Sequence, residues 1–422
     1  MPATTPIART LPPCAPSRTL PRASTPRWKS DGWLLFLALA LALAACSGED
    51  TSPTPAPGDP STPDPQDPVD PSAPPWESWN ERGPLEVQEL VLTFTDASRR
   101  VASAEDDQPR TLKTSIWFAP AASASGPVIL WAHGLGSTRT DSPVVARALA
   151  SRGYVVAAPD FPLTSRNNTN LQDIRDVVEQ PGDLSFVLDQ LLVLHGDPTS
   201  PLYNRLDAER VGVAGVSLGG VTALLTAWVD AFADPRIRAI ASFGAPACYL
   251  PRPLFQRDAL PMLVAYGTGD AVVDYETQGR QPFLGAPGPA LLLTLIDASH
   301  TAFGDVVGRA LDGTRTHPDV IGCSTIAARI PLDDLGILAE SLGGPSAATV
   351  TAECQAPCQG DERERTHMRG SRQASIIVAS TVAFFEGVFG DGPNVETLAS
   401  QFDAEADIEA RAVSGMQAAT PP

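Results

Sequence analysis

Short apolar runs bounded by turn residues recur between residues 127 and 296. They are four to seven residues long and apolar almost throughout, which predicts strands buried on both faces of a parallel sheet. Two earlier segments, Leu85–Phe94 and Leu112–Phe118, alternate apolar and polar residues, as antiparallel strands with one covered face do. The apolar runs are Pro127–Ala132, Tyr154–Ala158, Val211–Ala214, Ile237–Phe243, Met262–Tyr266 and Leu291–Ile296.

Helix-like segments lie between and after these runs, at Val144–Ser151, Asp173–His195, Val221–Phe232 and Ile376–Phe389. This alternation predicts an α/β fold with a mostly parallel central sheet flanked by helices. In such folds the active site forms at the carboxyl ends of the strands.

The first 45 residues have the composition of a secretory signal peptide. A basic region is followed by the apolar run Trp33–Ala45, which is shorter than a typical membrane-spanning helix. An uncleaved anchor is the alternative interpretation, and the unusual length of the basic region is consistent with a start codon downstream of Met1. The basic residues are Arg9, Arg18, Arg22, Arg27 and Lys29.

The next segment, residues 46–77, is almost wholly Ser, Thr, Pro, Ala, Gly, Asp and Gln. Such a stretch buries too little apolar surface to offset its chain entropy, and its prolines favour a semi-extended tether. We therefore expect one catalytic domain at residues 78–395, with an insertion at 306–370, and a C-terminal tail at 396–422.

The formal net charge is -19, and residues 1–45 carry five basic and one acidic side chain, so the chain without them carries -23. Nothing in the sequence clusters Lys or Arg to offset this charge. Nucleic acid and anionic lipid headgroups are therefore poor partners, because phosphate binding needs such clusters.

Ser217 lies in the segment Gly215–Gly219 (Gly-Val-Ser-Leu-Gly), directly after a predicted strand and before a predicted helix. A serine flanked by glycines between strand and helix is typical of the nucleophile elbow of an α/β-hydrolase. The turn aims the serine hydroxyl out of the sheet, and glycines leave room where a Cβ would clash. A chance match of three fixed residues is the alternative.

The serine needs a base and an orienting acid. His300 follows the last apolar run and is the candidate base, with His317 and His367 as substitutes in the insertion. Asp270 follows the run Met262–Tyr266 and is the candidate acid, with Asp274 as its rival. The chain order Ser217, Asp270, His300 is that of the α/β-hydrolases.

Backbone N–H groups are expected to form the oxyanion hole, and they require close backbone approach. The segment His133–Gly136 (His-Gly-Leu-Gly) follows the first parallel strand and offers this. The N–H groups of Leu135 and Leu218 would converge on the substrate carbonyl oxygen. His133 is expected to be a structural residue of this turn, and a glycine-rich turn without chemical meaning is the alternative.

Several of these segments resemble the bacterial dienelactone hydrolase-like α/β-hydrolases. That group is similar in turn to platelet-activating factor acetylhydrolases, chlorophyllases and bacterial polyester hydrolases. The resemblance covers roughly residues 85–305 and 370–392. The segments that carry it are Trp131–Ser137, Gly182–Leu191, Gly215–Gly220, Gly267–Asp270, His300 and Thr381–Phe385.

The resemblance implies hydrolysis of carboxylic esters through an acyl-enzyme, with no metal and no cofactor. Two departures stand out: dienelactone hydrolases use a cysteine nucleophile, and Val216 stands where His or Tyr is commoner. Separately, Leu43–Cys46 (Leu-Ala-Ala-Cys) resembles the lipobox of bacterial lipoproteins. It implies an exported protein anchored to the cell-envelope membrane through acylated Cys46.

The insertion at 306–370 carries three cysteines, Cys323, Cys354 and Cys358, and Cys248 precedes it. In an exported chain these four predict two disulfides, with Cys323 joined to Cys354 or Cys358 and the other joined to Cys248. A pair between Cys354 and Cys358, or a zinc site, is the alternative. The insertion is also the candidate wall of the substrate pocket.

Two classes of function and a third possibility remain open from the sequence. A serine ester hydrolase uses the nucleophile, base, acid and oxyanion segment together. A catalytically inactive surface-binding module would need only the scaffold. An amidase or peptidase would use the same triad, because pocket shape selects the scissile bond.

Overall fold

A computed structural model gives the fold and describes residues 75–101, 108–167, 173–248, 250, 252–256, 259–327, 358 and 366–414. The interpretations of residues 1–45, of Cys46, of most of the tether and of Cys354 lie outside the described residues. Within the described part of the chain, no helix has the length and apolarity needed to cross a membrane.

A nine-stranded sheet forms the centre of the molecule, in the order β1-β2-β4-β3-β5-β6-β7-β8-β9. Strands β3 to β8 are mutually parallel, while β1, β2 and β9 enter through antiparallel pairings. The predicted fold class is confirmed. The strands are β1 Gln88–Arg100, β2 Pro109–Phe118, β3 Gly126–Ala132, β4 Val155–Pro159, β5 Leu206–Val216, β6 Ile237–Phe243, β7 Met262–Gly267, β8 Ala290–Leu295 and β9 Ile408–Val413.

Helices cover both faces of the sheet, so successive residues of the central strands enter different cores. Val128 and Leu130 of β3 pack with α2 and α3, whereas Ile129 and Trp131 pack with α1, α8 and α9. The helices are α1 Pro143–Ala150, α2 Gln180–Gly196, α3 Leu218–Trp228, α4 Arg252–Phe255, α5 Gln281–Gly285, α6 Asp305–Ala310, α7 Asp319–Ala327, α8 Gly370–Phe389 and α9 Val395–Phe402.

The structure differs from the expected C-terminal tail at 396–422. Helix α9 begins after Asn394, whose side chain accepts a hydrogen bond from Thr397 N at 2.9 Å, and β9 pairs with β8. The folded part also begins before residue 78, because Trp76 is fully buried and its ring lies 5.1 Å from that of Phe402. Residues of modest apolarity form these elements, so their burial depends on tertiary contacts.

Candidate active site

Ser217 occupies a strained turn between β5 and α3, with φ 56° and ψ -121°. The flanking glycines are required by close approach. A Cβ on Gly215 would lie 2.3 Å from Gly219 O, and one on Gly219 would lie 2.1 Å from Ala132 O. The Ser217 N–H donates to Phe243 O at 2.7 Å, which fixes the turn to the end of β6. The strain is thus held by the sheet, as expected for a functional turn.

Ser217, His300 and Asp270 form one hydrogen-bonded chain. His300 Nε2 lies 2.8 Å from Ser217 Oγ, and His300 Nδ1 lies 2.8 Å from Asp270 Oδ2. The other carboxylate oxygen of Asp270 accepts from the N–H groups of Val272 and Val273, at 2.8 and 2.7 Å. Both Asp270 and His300 are buried. The structure therefore brings together the three side chains that the sequence placed on different strand ends.

The surroundings of His300 favour its protonated form. Burial alone would lower the pKa of this imidazole, but the Asp270 carboxylate outweighs it, with a further contribution from Asp319, and the net shift is upward. An imidazole in this setting can take up a proton from Ser217 Oγ and keep it while charge develops on the substrate.

The rival residues have other partners. Asp274 accepts from Thr277 N at 2.9 Å and so caps the helical turn that follows it. His317 and His367 pack against each other with ring centroids 5.4 Å apart, and His317 Nδ1 accepts from Asp319 N. Neither histidine takes the place of His300 beside Ser217.

His133 is bound within the turn that carries it. The N–H of Phe161 donates to His133 Nε2 at 3.1 Å, so the ring proton sits on Nδ1, which lies 2.8 Å from Gly134 O. Burial lowers the pKa of His133, which keeps the ring neutral. This placement agrees with a structural residue.

The loop after β3 lies directly against the serine. A Cβ on Gly134 would be 3.2 Å from Ser217 Cβ, and Gly136 N donates to Thr164 O at 2.8 Å, which holds the loop. Leu218 is the first residue of α3, where the N–H has no intrahelical acceptor. Among the described residues, the N–H groups of Leu135 and Leu218 have no acceptor.

The insertion contributes to the same region. A disulfide joins Cys323 of α7 to Cys358, which matches one of the two predicted pairings and removes Cys358 from a pair with Cys354. Cys248 is also disulfide-bonded, and its predicted partner Cys354 lies outside the described residues. Asp319, the first residue of α7, is buried beside the loops of Asp270 and His300, and sequence reasoning missed it.

The parallel sheet, the serine turn at the end of β5 and the acid and histidine loops that follow β7 and β8 define an α/β-hydrolase. Residues 113–285, which include Ser217 and Asp270, match the family described as PETase: PET hydrolase-like. No curated protein matches the sequence.

Among solved structures, a ferulic acid esterase from Streptomyces cinnamoneus matches with a TM-score of 0.50 and 19% sequence identity. The match covers 75% of this chain and 92% of that chain, and at this identity it supports the fold. The family match over residues 113–285 supports a carboxylic ester hydrolase with this fold.

Proposed function

We propose that the protein is a serine ester hydrolase that works through an acyl-enzyme. The observation that carries this proposal is the unbroken contact chain from Ser217 Oγ through His300 to Asp270, with two contacts of 2.8 Å. A surface-binding module would need the scaffold alone and would have no use for this alignment behind a strained serine.

In the first half-reaction His300 Nε2 takes the proton of Ser217 Oγ while this oxygen bonds to the ester carbonyl carbon. The imidazolium then returns the proton to the alcohol oxygen as the bond between carbonyl carbon and alkoxy oxygen breaks. A water molecule repeats the sequence on the acyl-enzyme: it loses a proton to His300, releases the acid and restores the Ser217 hydroxyl. Asp270 keeps the imidazole in the correct tautomer throughout.

The carbonyl oxygen gains negative charge in each tetrahedral intermediate. The N–H groups of Leu135 and Leu218 are the proposed donors to this oxygen. In comparable enzymes each such donor stabilises the transition state by about 3 to 4 kcal/mol. The amino end of α3 adds a favourable dipole at the same place.

A fluorophosphonate probe tests the nucleophile. The probe should label the purified protein once, and Ser217→Ala should abolish both labelling and ester turnover. Ser125→Ala is the control, because Ser125 is half-buried and its hydroxyl donates to the backbone oxygen of Asn204 at 3.0 Å. Labelling that persists in Ser217→Ala would refute the assignment.

A substrate panel tests the reaction class. It consists of p-nitrophenyl esters of graded chain length, a ferulate ester, a terephthalate ester and the matching amides. The two aromatic esters are included because of the names of the matched family and of the structural neighbour. We expect turnover of esters and not of amides, whereas faster amide cleavage would favour the amidase alternative.

We also propose that the protein is exported and held at the cell-envelope membrane by acylated Cys46. This proposal is supported by the sequence of residues 33–46, an apolar run that ends in Leu-Ala-Ala-Cys. Two or three acyl chains give stable anchoring, while one is marginal. Mass analysis should find them on Cys46 in the membrane fraction, and Cys46→Ala should release the protein. An unmodified amino terminus would contradict this.

A further inference from the structure

Asp319 is a buried carboxylate that accepts four hydrogen bonds from two different loops. Its Oδ2 accepts from Ala271 N at 2.9 Å and from His300 N at 3.0 Å. Its Oδ1 accepts from Thr301 N at 2.7 Å and from Thr301 Oγ1 at 2.8 Å. A single side chain of the insertion thus joins the residue after Asp270 to the backbone of His300 itself.

Ala271 is held from both sides by the insertion. While its N–H donates to Asp319, its carbonyl oxygen accepts from Cys358 N at 2.8 Å. Cys358 is in turn bonded to Cys323, which lies four residues after Asp319 on α7. One short helix and one disulfide therefore fix the position of the acid loop.

The histidine loop has a second support on its other side. Ser299 N donates to Gln373 Oε1 at 3.1 Å, and Gln373 Nε2 donates back to Ser299 O at 2.8 Å. Gln373 belongs to α8, so this helix holds Ser299, while α7 holds the N–H groups of His300 and Thr301. The only bridge among these contacts that reaches both catalytic loops is the carboxylate of Asp319.

We propose, on the basis of the serine hydrolase mechanism above, that Asp319 is a positioning residue. It sets the separation of the acid and histidine loops and places a second negative charge behind the imidazole that must become protonated. The role needs a carboxylate, because only an acceptor with two oxygens can take four donors from opposite loops.

The charges around this group define the expected pH effect. His300 is faced by Asp270 and Asp319, and Asp319 Oδ2 lies 3.9 Å from His317 Nδ1, whose ring packs on His367. The negative charge of Asp319 contributes to the raised pKa of His300. Removing it lowers that pKa, and His300 then stays neutral and able to accept a proton at lower pH.

The test compares wild type, Asp319→Asn and the control Asp312→Asn by kcat and KM across pH. Asp312 belongs to the same insertion, but it is half-buried and binds Ser371 and Arg369. We expect Asp319→Asn to lower kcat about ten- to hundred-fold with little change in KM, since small misplacements of catalytic groups have costs of that size. The acid limb of the pH profile should move to lower pH, and Asp312→Asn should match wild type.

A lower kcat with an unmoved acid limb would overturn the proposal, as would wild-type kcat in Asp319→Asn. If Asp319→Asn does not fold, Thr301→Val tests the proposal instead, because it removes the hydroxyl donor to Asp319 and keeps the charge of Asp319. It should lower kcat a few-fold without moving the acid limb, and an unchanged kcat would overturn the proposal. Probe labelling at Ser217 separates the two hypotheses: loss of the Ser217 assignment refutes the mechanism, and its retention confines any failure to Asp319.

Discussion

Asp270 and Asp274 lie four residues apart and bind different partners. Asp270 Oδ2 is 2.8 Å from His300 Nδ1, while Asp274 Oδ1 is 2.9 Å from the N–H of Thr277. The first carboxylate faces the imidazole, and the second caps the start of the helical turn Tyr275–Gly279. The two residues therefore provide a matched pair of variants for the role of the acid.

Asp270→Asn should lower kcat by about four orders of magnitude, because an amide stabilises the wrong imidazole tautomer. Asp274→Asn keeps an oxygen that can accept from Thr277 N, so its kcat should stay within a few-fold of wild type. Steady-state kinetics on one p-nitrophenyl ester measures both. Equal losses in the two variants would contradict the assignment of Asp270.

Gly134 provides a test of the packing behind the serine. An added Cβ would lie 3.2 Å from both Ser217 Cβ and Val216 O, so Gly134→Ala must displace the loop or the serine. We expect a loss in kcat of about ten- to hundred-fold with a soluble, folded protein. Gly196→Ala is the control, because nothing lies within 4 Å of its added Cβ. The same kcat in both variants would contradict close packing at the elbow.

Asp305, the first residue of α6, links that helix to α1. Its Oδ2 accepts from the N–H groups of Val144 and Val145, at 2.9 and 3.1 Å, and the side chain is fully buried. Burial raises the pKa of Asp305 to about 7 from 3.8, and the neighbouring Asp141 adds to the shift. The protonated form is therefore the one that the fold favours.

The pKa of Asp305 is higher in the folded state than in the unfolded state. The contribution of Asp305 to the free energy of unfolding is therefore fully present below pH 3.8 and is lost as the pH rises through about 7. Asp305→Asn keeps an acceptor for both N–H groups and cannot ionise. Its free energy of unfolding should exceed that of wild type above pH 7, by on the order of 4 kcal/mol for a shift of this size. Urea unfolding at pH 5, 6, 7 and 8 measures this, and a difference independent of pH would contradict it.

The Cys323–Cys358 disulfide provides a test of how the insertion acts. If the disulfide holds Ala271 in place, the double variant Cys323→Ser, Cys358→Ser should lower kcat by the same few-fold factor for acetate and for long-chain esters. A loss confined to long-chain esters would instead favour a pocket wall. Single labelling of Ser217 in the variant is the control for an intact nucleophile.

The sequence predicts those residues of the candidate site that directly follow a strand. Ser217, Asp270 and His300 each follow an apolar run, and parallel strands bring these ends to one edge. Asp319 was not predictable, because three of its four donors are backbone N–H groups that almost any residue carries. Its segment, with His317 and Pro318 before α7, also lacks a strand that would fix its place.

The fold was predicted least well after α8. Strand β9 is six residues long and carries Glu409 and Arg411 between small apolar residues, so it lacks the apolar content of the inner strands. Such a sequence becomes a strand only because β8 offers an open edge beside it. The burial of Trp76 likewise depends on Phe402, which lies more than three hundred residues later.

The pairing of β8 with β9 also sets an order for assembly. Strand β8 leads into the His300 loop, yet its outer neighbour comes from residues 408–413, which follow more than a hundred residues later. Until those residues arrive, the strand that delivers the histidine has an unpaired edge, open to pairing with another chain. Contacts that close long loops form slowly, so we expect the pairing of β8 with β9 to form late in folding.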